Sequence, residues 1–88
     1  DLAYNKLDNN TFVFEGKTSL MDFCKLTGID HKTFDEVKGE SESLGGLLLE
    51  INSMLPKAGE KIKFDNFMFT AVAVNDKRIK KVRVHITR

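Results

Sequence analysis

The sequence has few of the residues that stabilise small domains by covalent or metal links. Its 88 residues contain one cysteine, one proline and no tryptophan. The single cysteine, Cys24, cannot form an intramolecular disulfide, and it cannot build a cysteine-rich zinc site. We therefore expect a core held by packing alone, in which Cys24 fills space as a small apolar side chain.

Long apolar runs and an excess of charge of one sign are also missing. Apolar runs such as Leu47–Leu49 are short, whereas a helix that crosses a bilayer needs about 20 residues. The 14 basic and 13 acidic residues leave a net charge of +1, without the basic excess typical of nucleic-acid-binding domains. The composition thus argues against a membrane span and against a nucleic-acid partner.

The length of the chain limits what it can do. It fits a single domain, residues 1–88, which buries roughly 60–65% of the surface that its unfolded chain exposes. Such a domain holds one core and a shallow site, so large enzymes are excluded. The chain begins at Asp1 rather than at a methionine, and we expect it to be a part excised from a longer polypeptide.

The first half of the chain is predicted to form a hairpin and two helices. Two short strands, Tyr4–Leu7 and Thr11–Glu15, flank the turn residues Asp8-Asn9-Asn10. A helix from about Ser19 to Thr27 is predicted to stop at Gly28. After the solvated loop Asp35–Ser43, a second helix begins behind the cap Ser43 and ends at Pro56. Its apolar face would consist of Leu44, Leu47, Leu48, Ile51 and Leu55.

The second half changes to the two-residue period of strands. Ile62 and Phe64 alternate with Lys61 and Lys63, and a turn at Asp65-Asn66 leads into a long apolar strand, Phe67 to Asn75, expected in a central position. The last strand has one apolar and one polar face. Its apolar side chains are Val82, Val84 and Ile86, and its polar ones are Lys81, Arg83, His85 and Thr87.

Together these elements predict an α+β fold in which two helices pack on one face of a largely antiparallel sheet of four or five strands.

No residue pattern indicates catalysis or a metal centre. His31 and His85 lack a nucleophile or carboxylate at a catalytic spacing, so we predict no catalytic residues. One acidic segment, with Asp30, His31, Asp35 and Glu36, has side chains of the types that bind divalent cations. Their spacing matches no cation-binding loop, so a hydrated loop is the favoured interpretation. We predict no metal site and no cofactor.

Two other features admit a binding role. Gly45-Gly46 at the start of the second helix indicates either close packing against the sheet or first-turn N–H groups that receive an anion. A basic face near the end of the chain is predicted to be solvated, or to contact an acidic protein or a membrane surface rather than nucleic acid. This face comprises Lys77, Arg78, Lys80, Lys81, Arg83 and Arg88.

Several segments, taken in order, resemble the transporter-associated domain of the CorC/HlyC family. They are Phe12–Gly16, the helix Leu20–Leu26, Ser43–Glu50, Leu55-Pro56, Ala58–Glu60, Phe67, Arg78-Ile79 and Val82–Val84. The resemblance covers nearly the whole chain. The family includes hemolysin-like proteins, magnesium and cobalt efflux proteins and a gliding-motility-associated subgroup. It implies a fold similar to a flavin-binding domain, although a shared fold does not imply flavin binding.

The resemblance implies a non-catalytic regulatory module at the cytoplasmic face of a membrane protein, the fragment itself being soluble. Its partners would be the CBS pair and the membrane region of the same parent chain, with docking or homodimerisation through the exposed sheet face or the last strand. The alternative is a small-ligand sensor that binds a divalent cation, a nucleotide or a flavin. Its site would be the loop from Asp30 to Glu42 or the start of the second helix.

Overall fold

The protein is a five-stranded antiparallel sheet with two helices on one face, as described for residues 4–88 by a computed structural model. The start of the chain at Asp1 lies outside the described residues. The strand order is β1-β2-β5-β4-β3, and the predicted α+β class is confirmed. The elements are β1 (Tyr4–Asp8), β2 (Thr11–Glu15), α1 (Leu20–Thr27), α2 (Leu44–Asn52), β3 (Lys61–Phe64), β4 (Phe67–Val74) and β5 (Ile79–Ile86).

The last strand, β5, lies in the middle of the sheet. Val84 pairs with Phe12 on one side and with Phe69 on the other, and all three side chains are buried under the helices. The long apolar strand β4 is an interior strand between β5 and β3, but it is not the centre of the sheet. The predicted alternation of β5 is confirmed, since Val82, Val84 and Ile86 are buried.

Helix α2 ends earlier than predicted. It stops at Asn52 because Ser53 takes a left-handed conformation with φ 66°, and the Ser53 N–H donates to the Leu49 carbonyl. This cap ends the helix four residues before Pro56, so the proline is not the cause of the stop. Leu55 lies beyond the helix, although its side chain still packs against the core.

The starts of the two helices are bonded to each other. Ser19 and Ser43 are the N-caps of α1 and α2, and the two residues form an antiparallel bridge. The Leu20 N–H donates to the Glu42 carbonyl, and the Leu44 N–H donates to the Thr18 carbonyl, each at 2.8 Å. Each helix thus supplies a backbone partner to the other at a position where helix N–H groups would otherwise lack one.

The segment between the helices forms a series of turns with one aromatic anchor. Phe34 is 1% exposed and lies within 5.1 to 6.3 Å, between ring centroids, of three other buried phenylalanines. The segment after it, Asp35–Ser43, is a loop as predicted, with Val37 half-buried. The anchor holds the loop against the core while its acidic side chains face solvent. The three partner rings are Phe23, Phe67 and Phe69.

Candidate functional site

The face of the sheet that points away from the helices carries a cluster of basic side chains. In one row across the sheet, Arg83 lies opposite Thr70, and Thr70 lies opposite Lys61. In the next row, Met68 separates His85 from Lys63 in the same way. A depression of about 380 Å³ lies among these residues. We call it the basic groove, defined by Lys61, Lys63, Arg83 and His85.

The lysines and the arginine of the basic groove have no ion-pair partner among residues 4–88. None of the side chains that line the groove is acidic. Among residues 4–88 the ion pairs are those of Glu15 with Lys17 and of Asp30 with His31, both elsewhere. The Lys63 ammonium donates to the Asp65 backbone carbonyl, which leaves its charge uncompensated. The groove therefore has a positive potential that attracts anions.

His85 is held in the groove by residues of the neighbouring hairpin. Its Nδ1 shares a hydrogen bond of 2.9 Å with the hydroxyl of Thr11, which is 3% exposed. The pKa of the nearby Asp8 carboxyl is lowered, first by the Asn10 backbone N–H and then by the Thr11 hydroxyl. His85 makes a smaller contribution to the same lowering. Because Nδ1 is occupied, Nε2 is the ring nitrogen left to meet a ligand in the groove.

The basic face predicted from the sequence is only partly a single surface. Lys81 and Arg83 lie on the outer face of β5, whereas Lys77 and Arg78 lie in the turn before it. Arg88 is elsewhere, because its guanidinium donates to the Asn10 side chain and to the Thr27 carbonyl at the end of α1. The prediction was therefore wrong in grouping all six basic residues on one surface.

Sequence reasoning missed the two lysines that complete the basic groove. Lys61 and Lys63 are about 20 residues away from Arg83 along the chain, and strand pairing through β4 brings them to the same face. Their alternation with Ile62 and Phe64 correctly predicts that they point away from the core. That alternation cannot show which strand lies beside β3.

The acidic segment between the helices does not gather a ligand set. Within the described part of the chain, residues 4–88, no three side chains of His, Cys, Asp or Glu are grouped to hold a metal ion. The Asp30 carboxylate accepts from the Lys32 backbone N–H and lies 3.8 Å from Nδ1 of the exposed His31. Asp35 and Glu36 are exposed on the following turn. The four candidate ligands thus belong to a solvated loop.

The same segment borders a second depression, of about 370 Å³, against α1. Its floor is apolar and consists of Leu20, Cys24 and Phe34. Charged side chains of both signs, among them Asp35 and Lys38, stand at its rim. This mixture of charges selects no class of ligand, in contrast to the basic groove.

The start of α2 is closed to an anion. The first three N–H groups donate to the Thr18 carbonyl, the Gly16 carbonyl and the Ser43 hydroxyl. A Cβ atom on Gly45 would lie 3.1 Å from the Gly16 carbonyl oxygen and 3.2 Å from that of Ile79. The close-packing interpretation is confirmed for Gly45, whereas a Cβ atom on Gly46 would meet the side chains of Ser41 and Ser43. The anion-binding interpretation is wrong because the N–H groups are already used.

Comparison with known proteins assigns the chain to a family. Residues 5–88 match the family model CorC_HlyC, described as the transporter associated domain. The chain belongs to this family. Its match covers all but the first four residues, so the resemblance inferred from the sequence is confirmed.

Individual relatives agree with this assignment. The transporter-associated domain of a CBS domain protein from Porphyromonas gingivalis is 30% identical with a TM-score of 0.87, and the match covers 99% of this chain and 100% of that one. The magnesium and cobalt efflux protein CorC of Salmonella typhimurium is 29% identical over 98% of this chain. The polyamine export protein of the same species is 27% identical over 88% of it.

The transporter-associated domain is a small part of these curated relatives. The present chain spans 28% of the length of the magnesium and cobalt efflux protein and 17% of the polyamine export protein. The family is not one of known catalytic domains. In residues 4–88, neither helix has the length and apolarity that a bilayer span requires.

Cys24, the one thiol of the domain, is predicted to be unreactive in the folded state. It is 4% exposed, and burial, followed by the charges of Asp30 and Asp35, raises the pKa of its thiol. Because the thiolate is the reactive form, we expect Cys24 to react with iodoacetamide at pH 8 at least about tenfold more slowly than in urea-unfolded protein. Mass spectrometry of timed aliquots gives both rates. Equal rates would contradict the buried position.

Proposed function

We propose that this transporter-associated domain is a non-catalytic regulatory module of a CBS-domain-containing ion exporter, at the cytoplasmic face of the membrane. The observation that carries the proposal is the family match over residues 5–88. It is supported by relatives named as magnesium and cobalt efflux and polyamine export proteins, of which the domain is only a part. That the parent protein exports an ion, and that this domain modulates the export, are both parts of the proposal.

The surface proposed to contact the rest of the parent chain is the outer face of the sheet. In residues 4–88 both helices lie on the opposite face, so no element covers this one. It carries Lys81 and Arg83 on the middle strand and the half-exposed apolar side chain of Val72 on β4. A face that combines basic and apolar side chains suits contact with the CBS pair and membrane region, or with a second copy of the domain.

A domain exchange tests the regulatory role. In the Salmonella typhimurium magnesium and cobalt efflux protein CorC, the matching 86-residue region is deleted or replaced by this chain, and cobalt efflux is measured from loaded cells. We expect the deletion to change the dependence of efflux on internal cobalt while transport itself persists, and the replacement to restore that dependence. Unchanged efflux after deletion, at equal protein level, would contradict a regulatory role.

Charge reversal tests the proposed contact surface in the same exchange protein. The substitution Lys81→Glu, on the outer face but outside the basic groove, is expected to reproduce the deletion, because it opposes the charge of this face without touching the core or the groove. Lys77→Glu, in the turn before β5, is the matched control and should leave efflux unchanged. If Lys81→Glu behaves like the control, the outer face is not the contact.

A further inference from the structure

We propose that the basic groove binds a small polyanion, a molecule with clustered phosphate or carboxylate groups, and that this anion is the signal that the domain reads. The inference rests on the proposed function, because a regulatory module needs an input. The basic groove differs from the two sites suggested by the sequence. The start of α2 is closed to an anion, and the depression beside the loop from Asp30 to Glu42 selects no class of ligand. The argument depends on the arrangement of Lys61, Lys63, Arg83 and His85.

Strand register places these four side chains at the corners of a small rectangle. Arg83 and Lys61 are two strands apart, with Thr70 between them, so their Cα atoms are separated by about 10 Å. His85 lies two residues beyond Arg83 on the same strand, about 7 Å away. Lysine and arginine side chains are long enough to span these separations, so an anion between Arg83 and Lys61 would contact both of them at once.

The electrostatics of the rectangle favour a ligand with more than one negative charge. In the described part of the chain, neither Lys61 nor Arg83 has a hydrogen-bonded or ion-paired side-chain partner, and no carboxylate lines the groove. The charged corners Lys61, Lys63 and Arg83 lie within roughly one Debye length of each other at physiological ionic strength, so their attractions for one ligand add. The Arg83 guanidinium also offers paired donors that match a phosphate or a carboxylate.

Neutral donors and a firm boundary complete the groove. The Thr70 hydroxyl lies between Arg83 and Lys61. At one end, the Thr87 N–H donates to the Asn66 carbonyl and the Asn66 side chain donates back to the Thr87 carbonyl, at 2.8 and 2.9 Å. These bonds tie the β3–β4 turn to the end of β5, and the hydrogen bond shared between Thr11 and His85 holds the imidazole in place. The groove is thus formed before any ligand binds.

The size and surroundings of the groove favour a small molecule over a polymer. Its volume of about 380 Å³ lies in the range of small-ligand sites. The chain as a whole has a net charge of only +1, so the positive potential is local. Apart from the imidazole of His85, no exposed aromatic ring on which a nucleic-acid base could stack lines the groove.

Calorimetric titration of the 88-residue chain tests the proposal. Pyrophosphate, tripolyphosphate and citrate are titrated separately at 0.1 M NaCl, with a glutamate decapeptide as the polymeric comparison. We expect saturable binding of one molecule per chain for at least one of the three small anions. Binding of the phosphates alone would assign a phosphate-bearing ligand, and binding of citrate alone a polycarboxylate.

Neutral substitutions show whether the groove is the site. Arg83→Gln and Lys61→Gln each remove one exposed charge and should weaken binding about tenfold, as expected for a hydrogen bond between charged groups. Lys77→Gln removes the same charge outside the groove and should change the dissociation constant less than about twofold. Thermal unfolding of each variant confirms that the fold is retained.

Three results would overturn the proposal. They are no saturable binding by any small anion, equal weakening by Lys77→Gln and Arg83→Gln, and saturable binding of the decapeptide alone. The outcome is separable from that of the regulatory proposal, because binding is measured on the chain itself and regulation in the exchange protein. A domain that regulates efflux but binds no polyanion would refute only the ligand, and a domain that binds without affecting efflux would refute only the regulation.

Discussion

Replacing Gly16 by alanine is expected to lower the free energy of unfolding by about 3 kcal/mol or more, a large fraction of the stability of a small domain. A Cβ atom at this position would lie 2.0 Å from the backbone carbonyl oxygen of Ile79. The chain cannot move away cheaply, because the Gly16 N–H donates to the Lys80 carbonyl and its own carbonyl accepts from the Gly45 N–H. Thermal unfolding should show a midpoint lower by roughly 12 °C or more.

The substitution Gly59→Ala is the matched control for Gly16→Ala. A Cβ atom on Gly59 would meet no atom within 4 Å, but its φ of +89° disfavours any other residue. We expect a loss of about 1–2 kcal/mol from this backbone effect alone. If Gly16→Ala costs no more than Gly59→Ala, then the end of β2 does not pack rigidly against β5 and α2.

Truncating Phe34 to alanine is expected to cost about 3–5 kcal/mol, as for other fully buried aromatic side chains. Phe34 is the one large side chain of the inter-helix segment that is completely inside, and its ring centroid lies 5.1 Å from that of Phe67. Its loss would leave a cavity among the phenylalanines and would also release the loop from the core. Urea unfolding followed by circular dichroism measures the change.

Two further variants separate burial from simple loss of a hydrophobic side chain. Phe34→Leu keeps most of the buried volume and should cost less than half as much as Phe34→Ala. Met21→Ala removes a side chain of α1 that is 76% exposed, and should change stability by less than about 0.5 kcal/mol. A Phe34→Ala value as small as that of Met21→Ala would mean that the loop is not docked.

The close approach around Gly16 shows where sequence reasoning reaches its limit. The pair Gly45-Gly46 correctly indicates close packing, because two glycines in a short helix need a structural reason. The pattern does not identify what comes close, and in the structure the backbone of Gly16 and Ile79 lies against Gly45. Gly16, Gly45 and Ile79 are far apart in the sequence, so only the assembled sheet and helices bring them together.

The end of α2 illustrates a different error. Leu55 continues the helical spacing and Pro56 is a strong stop signal, so the local pattern predicts a helix up to that point. The left-handed conformation of Ser53 ends the helix first, and serine carries no strong signal for that conformation. Leu55 still reaches the core by another path, which is why its apolar character misled the prediction.

The sequence by itself determined the α+β class, two helices on a largely antiparallel sheet of four or five strands, the buried face of β5, and the family resemblance. The fold class and the elements follow from periodicity, capping residues and turn residues, which act over a few neighbouring positions, whereas the family follows from the resemblance of several segments taken in order. Only the tertiary structure decided that β5 is central, that β3 joins it through β4, and that the start of α2 is closed by Thr18 and Gly16. It also decided that Lys61 and Lys63 share a groove with Arg83 and His85. Which strands become neighbours depends on how all the buried faces pack together, and alternation within one strand is the same whatever strand lies beside it.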